Sequence, residues 1–182
     1  MSESAARSDQ AIAATIKCIL SDVDGVFTDG RIVYDSSGAE TKAFHVRDGL
    51  GIKTWMREGG RFGIITARHS PMVARRAEEL GVHAVVQNAG DKWLAARRLM
   101  DDWDVQPSEV AYVGDDLPDL SVMPLVGLSV APADAATDVL SVADWTMQRR
   151  GGEGVIRELI ERLMRAAGRW PTPPELADGR QC

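Results

Sequence analysis

Asp22 and Asp24 stand two residues apart in Ile19-Leu-Ser-Asp-Val-Asp-Gly-Val-Phe-Thr28, where a short apolar run gives way to carboxylates. If that run is a buried strand, Asp22 leaves the C-terminal edge of a parallel sheet and Asp24 lies on the turn after it, where Gly25 gives the backbone room to bend. A carboxylate so placed can attack phosphorus, forming an aspartyl-phosphate that water then hydrolyses, while its neighbour handles protons. Phosphoryl transfer is therefore the first chemistry implied. Asp-x-Asp-Gly also opens calcium loops, but those continue with oxygen ligands at alternate positions and a closing Glu, whereas Val26, Phe27 and Thr28 follow here.

Further groups with chemical potential recur at fixed places downstream: Thr66 and Arg68, then Lys92, then Gly114-Asp115-Asp116 with Asp119. The elements that must position them are legible as β-branched runs at 16–21, 61–66, 83–86, 110–114, 127–130 and 144–147, each read as a strand. Ser70-Pro71 starts a helix, Val73, Ala77 and Leu80 line one face of it, and Gly81 ends it. Residues 91–103 and 155–167 show the same helical period. Strands alternating with helices call for an α/β fold: a Rossmann-like parallel sheet with helices on both faces. One segment breaks the alternation, since 31–34 and 40–44 flank a turn at 35–38 and read as an inserted β-hairpin, about 30–45, beside the Asp22 loop.

Ligands bind outside the carboxyl ends of parallel strands, so the residues that follow each predicted strand form one set. Asp22, Asp115, Asp116 and Asp119 gathered in one crevice repel one another unless a cation sits among them. Hard oxygen donors without a His/Cys set favour magnesium. Thr66 is suited to bond a phosphoryl oxygen, and Lys92 to pair with Asp22 and the phosphate. Each has a plainer reading taken singly: a strand end, a solvated helix residue, a helix cap. It is their joint order that carries weight.

The chain has 182 residues, 45% of them hydrophobic, which is enough for one domain with a proper core and leaves no room for a second catalytic domain. A formal charge of −6 without a basic run argues against nucleic acid as the main partner. The two cysteines, Cys18 and Cys182, give neither a disulfide scaffold nor a zinc site and fit a reducing cytoplasm. No stretch reads as a secretion signal or a membrane span. Residues 1–15 read as a flexible tail, 16–168 as the domain, and the proline-rich 169–182 as an irregular extension.

A strand-borne Asp-x-Asp-Gly-Val, a strand ending in Thr, a Lys, and Gly-Asp-Asp-x-x-Asp after a fourth strand together resemble the haloacid dehalogenase superfamily across nearly the whole core. Lys42-Ala-Phe-His-Val-Arg-Asp-Gly49, Ala111-Tyr-Val-Gly-Asp-Asp-Leu117, Gly127-Leu-Ser-Val-Ala131 and Gly151-Gly-Glu-Gly154 narrow the likeness. They resemble the small capless family of 3-deoxy-D-manno-octulosonate 8-phosphate phosphatases, over about 16–167. The resemblance implies a cap-free fold and a homotetramer with the hairpins at its centre. It implies a phosphorylated eight-carbon sugar acid as substrate, on the route to lipopolysaccharide. By the same comparison Asp22 is nucleophile and magnesium ligand, and Asp24 is general acid/base with its backbone carbonyl on the metal. Asp115 is the further carboxylate ligand, and Asp116 and Asp119 support the metal's waters. His45, Val46, Arg47, Asp48, Gly49, Arg68, Arg76 and Lys92 face the substrate.

Three positions depart from the family pattern: Ala67 replaces a usual Gly, Lys53 a common Arg, and His45 a frequent Asn. They touch the substrate shell, Lys53 included, rather than the phosphoryl chemistry. Two other readings stand beside this one: a phosphatase for nine-carbon sialic-acid-type 9-phosphates, and a non-catalytic oligomeric binding module that retains the same scaffold.

Overall fold

The computed structural model describes residues 8–171. Its core is a six-stranded, all-parallel sheet made of β1 (Cys18–Ser21), β4 (Arg61–Ile65), β5 (Ala84–Val86), β6 (Val110–Val113), β7 (Leu128–Ala131) and β8 (Trp145–Thr146). The strand order is β5-β4-β1-β6-β7-β8. The chain thus runs outward from β1 through β4 to β5, returns to β6 on the other side of β1, and continues outward to β8. The reversal falls between β1 and β6, and a crevice opens at such a switch point.

The sheet is buried on both sides because its strands alternate. Ile19, Phe62, Ile64, Ala111 and Val113 point to one side, where α1 (Asp9–Thr15), α2 (Val46–Arg57), α3 (Pro71–Leu80) and α6 (Val155–Ala166) cover them. Cys18, Leu20, Ile65, Val110 and Tyr112 point to the other, under α4 (Lys92–Asp102) and α5 (Thr137–Val142). Successive strand residues pointing to opposite faces explain why these strands read as unbroken apolar runs. Every strand of the parallel sheet and every helix expected from sequence periodicity is present, with ends moved by at most two residues.

Three helices lie where the sequence pattern gave none: α1, α2 and the short α5. α2 carries Gly49 and Gly51, which weaken its helical signature. Their value is close packing, since a β-carbon at Gly51 would lie 3.2 Å from Arg157 Cδ of α6. α1 replaces the expected tail over 9–15: Ser8 caps it, Ile12 and Ala13 are buried, and Asp9 accepts two bonds from Arg162 at 2.7 and 2.8 Å. Arg162 also stacks over Trp145 at 3.6 Å, so α1 and α6 are fastened together. The rest of the expected N-terminal tail lies outside the described residues. So does most of the C-terminal extension, although Trp170 packs back under Arg157 at 4.4 Å.

The hairpin is present but short. β2 (Val33–Tyr34) pairs antiparallel with β3 (Glu40–Thr41), and Ile32, Val33 and Tyr34 are exposed. No cap domain occurs among the described residues.

Candidate active site

Register brings the carboxylates together. Ser21 lies opposite both Ile64 of β4 and Val113 of β6, so Asp22, Thr66 and Asp115 leave the same edge of three adjacent strands. The Asp22 N–H donates to Val113 O at 2.9 Å, which extends the ladder one residue and fixes where its side chain starts. Asp22, Asp115 and Asp119 place one carboxylate oxygen each within 4.8 Å of one another.

Lys92 is the cation set against them. It is the first residue of α4, which Asp91 caps by accepting from Leu94 N–H at 2.8 Å. Its buried ammonium donates to Asp119 Oδ1 at 2.7 Å and lies 2.8 Å from Asp22 Oδ2. Burial pulls Lys92 down, but the charges of Asp22 and Asp119 more than offset this and hold it above the ordinary lysine range. Burial likewise drives Asp22 upward, aided by Asp119 and opposed by Lys92.

Asp119, expected to support a metal's water, is instead a fully buried hub. Besides Lys92, its Oδ1 accepts from the Tyr112 hydroxyl at 2.7 Å. Its Oδ2 accepts from the backbone N–H groups of Asp115 at 3.0 Å and Asp116 at 3.2 Å. The turn that carries Asp115 is thus wrapped around the Asp119 carboxylate. Asp116 caps the following 3₁₀ turn by accepting from Leu117 N–H at 2.8 Å.

Asp115 is the least compensated group. Its Oδ1 is buried without a hydrogen-bond partner, and burial, with Asp22 and Asp119 beside it, pushes its carboxyl up to about 8. Gly25 (φ +88°) makes room for it, since a β-carbon there would lie 1.9 Å from Asp115 Oδ2. Gly151 closes the opposite side of the Asp loop, where a β-carbon would meet Gly25 O at 1.9 Å. Three carboxylates facing one ammonium, with an orphaned buried oxygen among them, fit a hard divalent cation.

Asp24 turns elsewhere. Its Oδ1 pairs with Lys42 of the hairpin arm, and its Oδ2 lies 3.7 Å from Arg68 Nε. Arg68 also donates to Glu40 at 2.9 Å, and the Thr66 hydroxyl accepts from Arg68 N–H at 3.2 Å. Thr66 is buried at the mouth of β4.

The expected substrate-facing run 45–49 does not converge on these groups. His45 caps α2, its Nδ1 accepting from Arg47 N–H at 3.2 Å. Val46 is exposed at the helix start. Asp48 is buried and accepts from Arg157 N–H at 2.7 Å, so it caps α6 rather than facing the crevice. Gly49 packs on Arg76, whose Nη2 would lie 2.4 Å from a β-carbon there. Arg76 is turned between α3 and α2, with its Nη1 3.3 Å from Glu79. Arg47 is exposed and borders a groove with Arg149 and Arg157, and Lys53 lies on the exposed side of α2. No hydrogen bond or ion pair joins any of these side chains to the carboxylate cluster among the described residues.

Sequence reading gave no role to Tyr112, Glu40 or Lys42. Tyr112 reads as an ordinary inward strand residue, and its link to Asp119 exists only once β6 and its turn are folded. Lys42 opens the Lys42–Gly49 motif, but that it reaches Asp24 depends on how the arm folds over the crevice.

A family model described as haloacid dehalogenase-like hydrolase matches residues 82–159. The 3-deoxy-D-manno-octulosonate 8-phosphate phosphatase KdsC of Yersinia pestis is 42% identical over 154 residues, spanning 85% of this chain and 82% of its own. A crystal structure of the phosphatase of that name from Yersinia pestis superposes with a TM-score of 0.87 at 40% identity, covering 89% of this chain and 88% of its own. The phosphatase from Moraxella catarrhalis, solved in complex with magnesium ion, phosphate ion and a KDO molecule, superposes with a TM-score of 0.85 at 39% identity, covering 88% of this chain and 92% of its own. Identity of this order across most of each chain, on the same fold, makes this protein a member of the 3-deoxy-D-manno-octulosonate 8-phosphate phosphatase family of haloacid dehalogenase-like hydrolases.

Proposed function

We propose that this protein hydrolyses 3-deoxy-D-manno-octulosonate 8-phosphate to the free sugar acid and inorganic phosphate, with magnesium as cofactor and Asp22 as the transient phosphoryl carrier. The names of its relatives and the sugar-acid and phosphate complex of one of them support the substrate and the metal. The observation that carries the mechanism is the placement of Asp22: at the end of β1, beside Lys92 at 2.8 Å and grouped with Asp115.

Asp22 attacks phosphorus in line as the bond to the sugar oxygen breaks, and Asp24 delivers a proton to that departing oxygen. Asp24 then takes a proton from the water that attacks the phosphoryl group on Asp22, and phosphate leaves. Lys92 balances Asp22 and the equatorial oxygens, while the Thr66 hydroxyl orients one of them. Asp22, Asp115 and the Asp24 carbonyl would hold magnesium, with Asp116 placing its waters, and the bound ion would supply positive charge against the phosphoryl oxygens. Arg68, at the mouth of the crevice, is suited to the sugar carboxylate.

The proposal extends to a homotetramer assembled through the hairpins, which Ile32, Val33 and Tyr34 support by lying exposed on the arm. In such an assembly Arg47, Lys53 and Arg76 have a route to a neighbour's substrate rather than to their own chain's crevice. A cytoplasmic setting belongs to the same reading, in keeping with the free, buried thiol of Cys18. No helix among the described residues is long and apolar enough to cross a membrane.

The test is phosphate release from eight-carbon and nine-carbon sugar-acid phosphates, with and without magnesium, by the native chain and by Asp22→Asn. Turnover should favour the eight-carbon substrate, require magnesium, and fall by roughly a thousandfold or more in the variant, at unchanged oligomeric mass. Undiminished turnover in Asp22→Asn removes the nucleophile assignment, and a nine-carbon preference removes the substrate.

A further inference from the structure

Four charged side chains form a closed ring at the rim of the crevice. Lys42 sits between Asp24 Oδ1 and Glu40 Oε1, the latter at 3.6 Å. Arg68 sits between the same Glu40 oxygen at 2.9 Å and Asp24 Oδ2 at 3.7 Å. Anion and cation alternate around the ring. Two members, Glu40 and Lys42, come from the hairpin arm, and the other two from the loops after β1 and β4.

Lys42 is the member whose position needs explaining. Its side chain is only 1% exposed, and burying an ammonium is costly unless its partners are held in place. A residue that served only to fold an exposed two-residue hairpin would lie outward, as Ile32, Val33 and Tyr34 do. Lys42 turns inward instead and ends on one particular oxygen of Asp24.

The two oxygens of Asp24 are treated differently. Lys42 occupies Oδ1. Oδ2 lies 3.7 Å from Arg68 Nε, beyond hydrogen-bond reach, and that Nε is itself a buried donor without an acceptor among the described residues. Asp24 is 21% exposed, so without a partner on Oδ1 its side chain has room to rotate toward solvent.

We infer that Lys42 is a positioning residue for catalysis: it fixes the Asp24 carboxylate by Oδ1 so that Oδ2 is the oxygen that exchanges a proton with the leaving group and with water. This rests on the reading of Asp24 as the acid/base. Glu40 holds Lys42 and Arg68 on either side of it, so the arm sets the rotamer of a residue on the β1 loop. A fixed proton donor saves the orientation step before each turnover, and a misplacement of about 1 Å is worth on the order of a hundredfold.

The experiment is a double-mutant cycle on the full-length chain with saturating magnesium, using 3-deoxy-D-manno-octulosonate 8-phosphate and 4-nitrophenyl phosphate. Lys42→Met should lower kcat on the sugar phosphate by roughly 10- to 100-fold with KM little changed. The loss should be smaller on the aryl ester, whose leaving group needs no proton, and Lys42→Arg should recover most of it. In an Asp24→Asn background, Lys42→Met should lower kcat no further. Lys42→Gln, which keeps a polar head in the buried slot, is measured in parallel, and only variants with native oligomeric mass and melting temperature enter the cycle. Unchanged kcat in the position-42 variants, or an equal loss with and without Asp24, overturns the inference. Full activity of Asp24→Asn alone would instead remove the acid/base reading on which it stands.

Discussion

Asp115 lies directly over Gly25: a β-carbon at position 25 would approach Asp115 Oδ2 to 1.9 Å, so the glycine on the Asp22 loop and the carboxylate on the β6 loop occupy one space. Gly25→Ala therefore does more than strain a residue at φ +88°. It must displace Asp115. The expected result is a loss of about 1–2 kcal/mol of stability from the left-handed backbone, together with at least tenfold weaker magnesium binding. Calorimetric titration with magnesium checks this, and native affinity in the variant would show that Asp115 is not a ligand.

Removing Lys92 leaves Asp22 and Asp119 without the ammonium that lies 2.8 and 2.7 Å from them. Lys92→Met should reduce turnover by on the order of a thousandfold, because the charge opposing the phosphoryl oxygens is lost. It should also lower the melting temperature, because two buried carboxylates lose their counterion. Steady-state kinetics and thermal unfolding measure the two effects separately. A variant that melts like the native protein but turns over slowly assigns Lys92 to the reaction alone.

Magnesium should stabilise the protein more at pH 8 than at pH 5.5. Burial and neighbouring carboxylates raise Asp115 to about 8 in the metal-free fold. A carboxyl raised above its ordinary value contributes stability that is complete in acid and lost as pH climbs through its folded pKa. Metal-free protein should thus lose stability from about pH 4, the ordinary carboxyl value, up to about pH 8, and magnesium, competing with the proton for the same oxygens, should restore most of it at the upper end. Melting curves with magnesium and with a chelator at both pH values provide the comparison. Equal shifts at the two would contradict the carboxylate arrangement.

Asp48 offers a contrasting case away from the cluster. Burial raises it to about 6, Oδ1 accepts from Arg157 N–H, and Oδ2 is buried without a partner. Its charge at neutral pH therefore opposes folding, and the native protein should gain from this position as pH falls below 6. Asp48→Asn keeps the acceptor and drops the charge. It should raise stability by about 1 kcal/mol near pH 8, lose that advantage near pH 4, and leave kcat within about twofold. A large fall in kcat would return Asp48 to the substrate shell.

What the sequence made legible, and what it hid, follow from range. Strand ends are local: a β-branched run stopping at Asp22, Thr66 or Gly114 shows in the pattern itself, and the parallel topology then brings those ends to one edge. Helix α2 was hidden because Gly49 and Gly51, which suit it for packing on Arg76 and Arg157, are the residues that weaken a helical signature. The place of Asp48 was hidden for a related reason: only the packing of α2 on α6 brings its carboxylate to Arg157 N–H. Tyr112, Glu40 and Lys42 had no local signal, since their partners are supplied by tertiary geometry alone.

The crowding of Asp22, Asp115 and Asp119 around a single ammonium also sets a trade-off for the whole molecule. Selection for catalysis has kept like charges in a desolvated corner where neutral amides would sit more comfortably. Chains silenced at Asp22 or Asp115 by an isosteric amide are then the sturdier ones in the absence of metal, and a screen for heat resistance alone would drift toward dead enzymes.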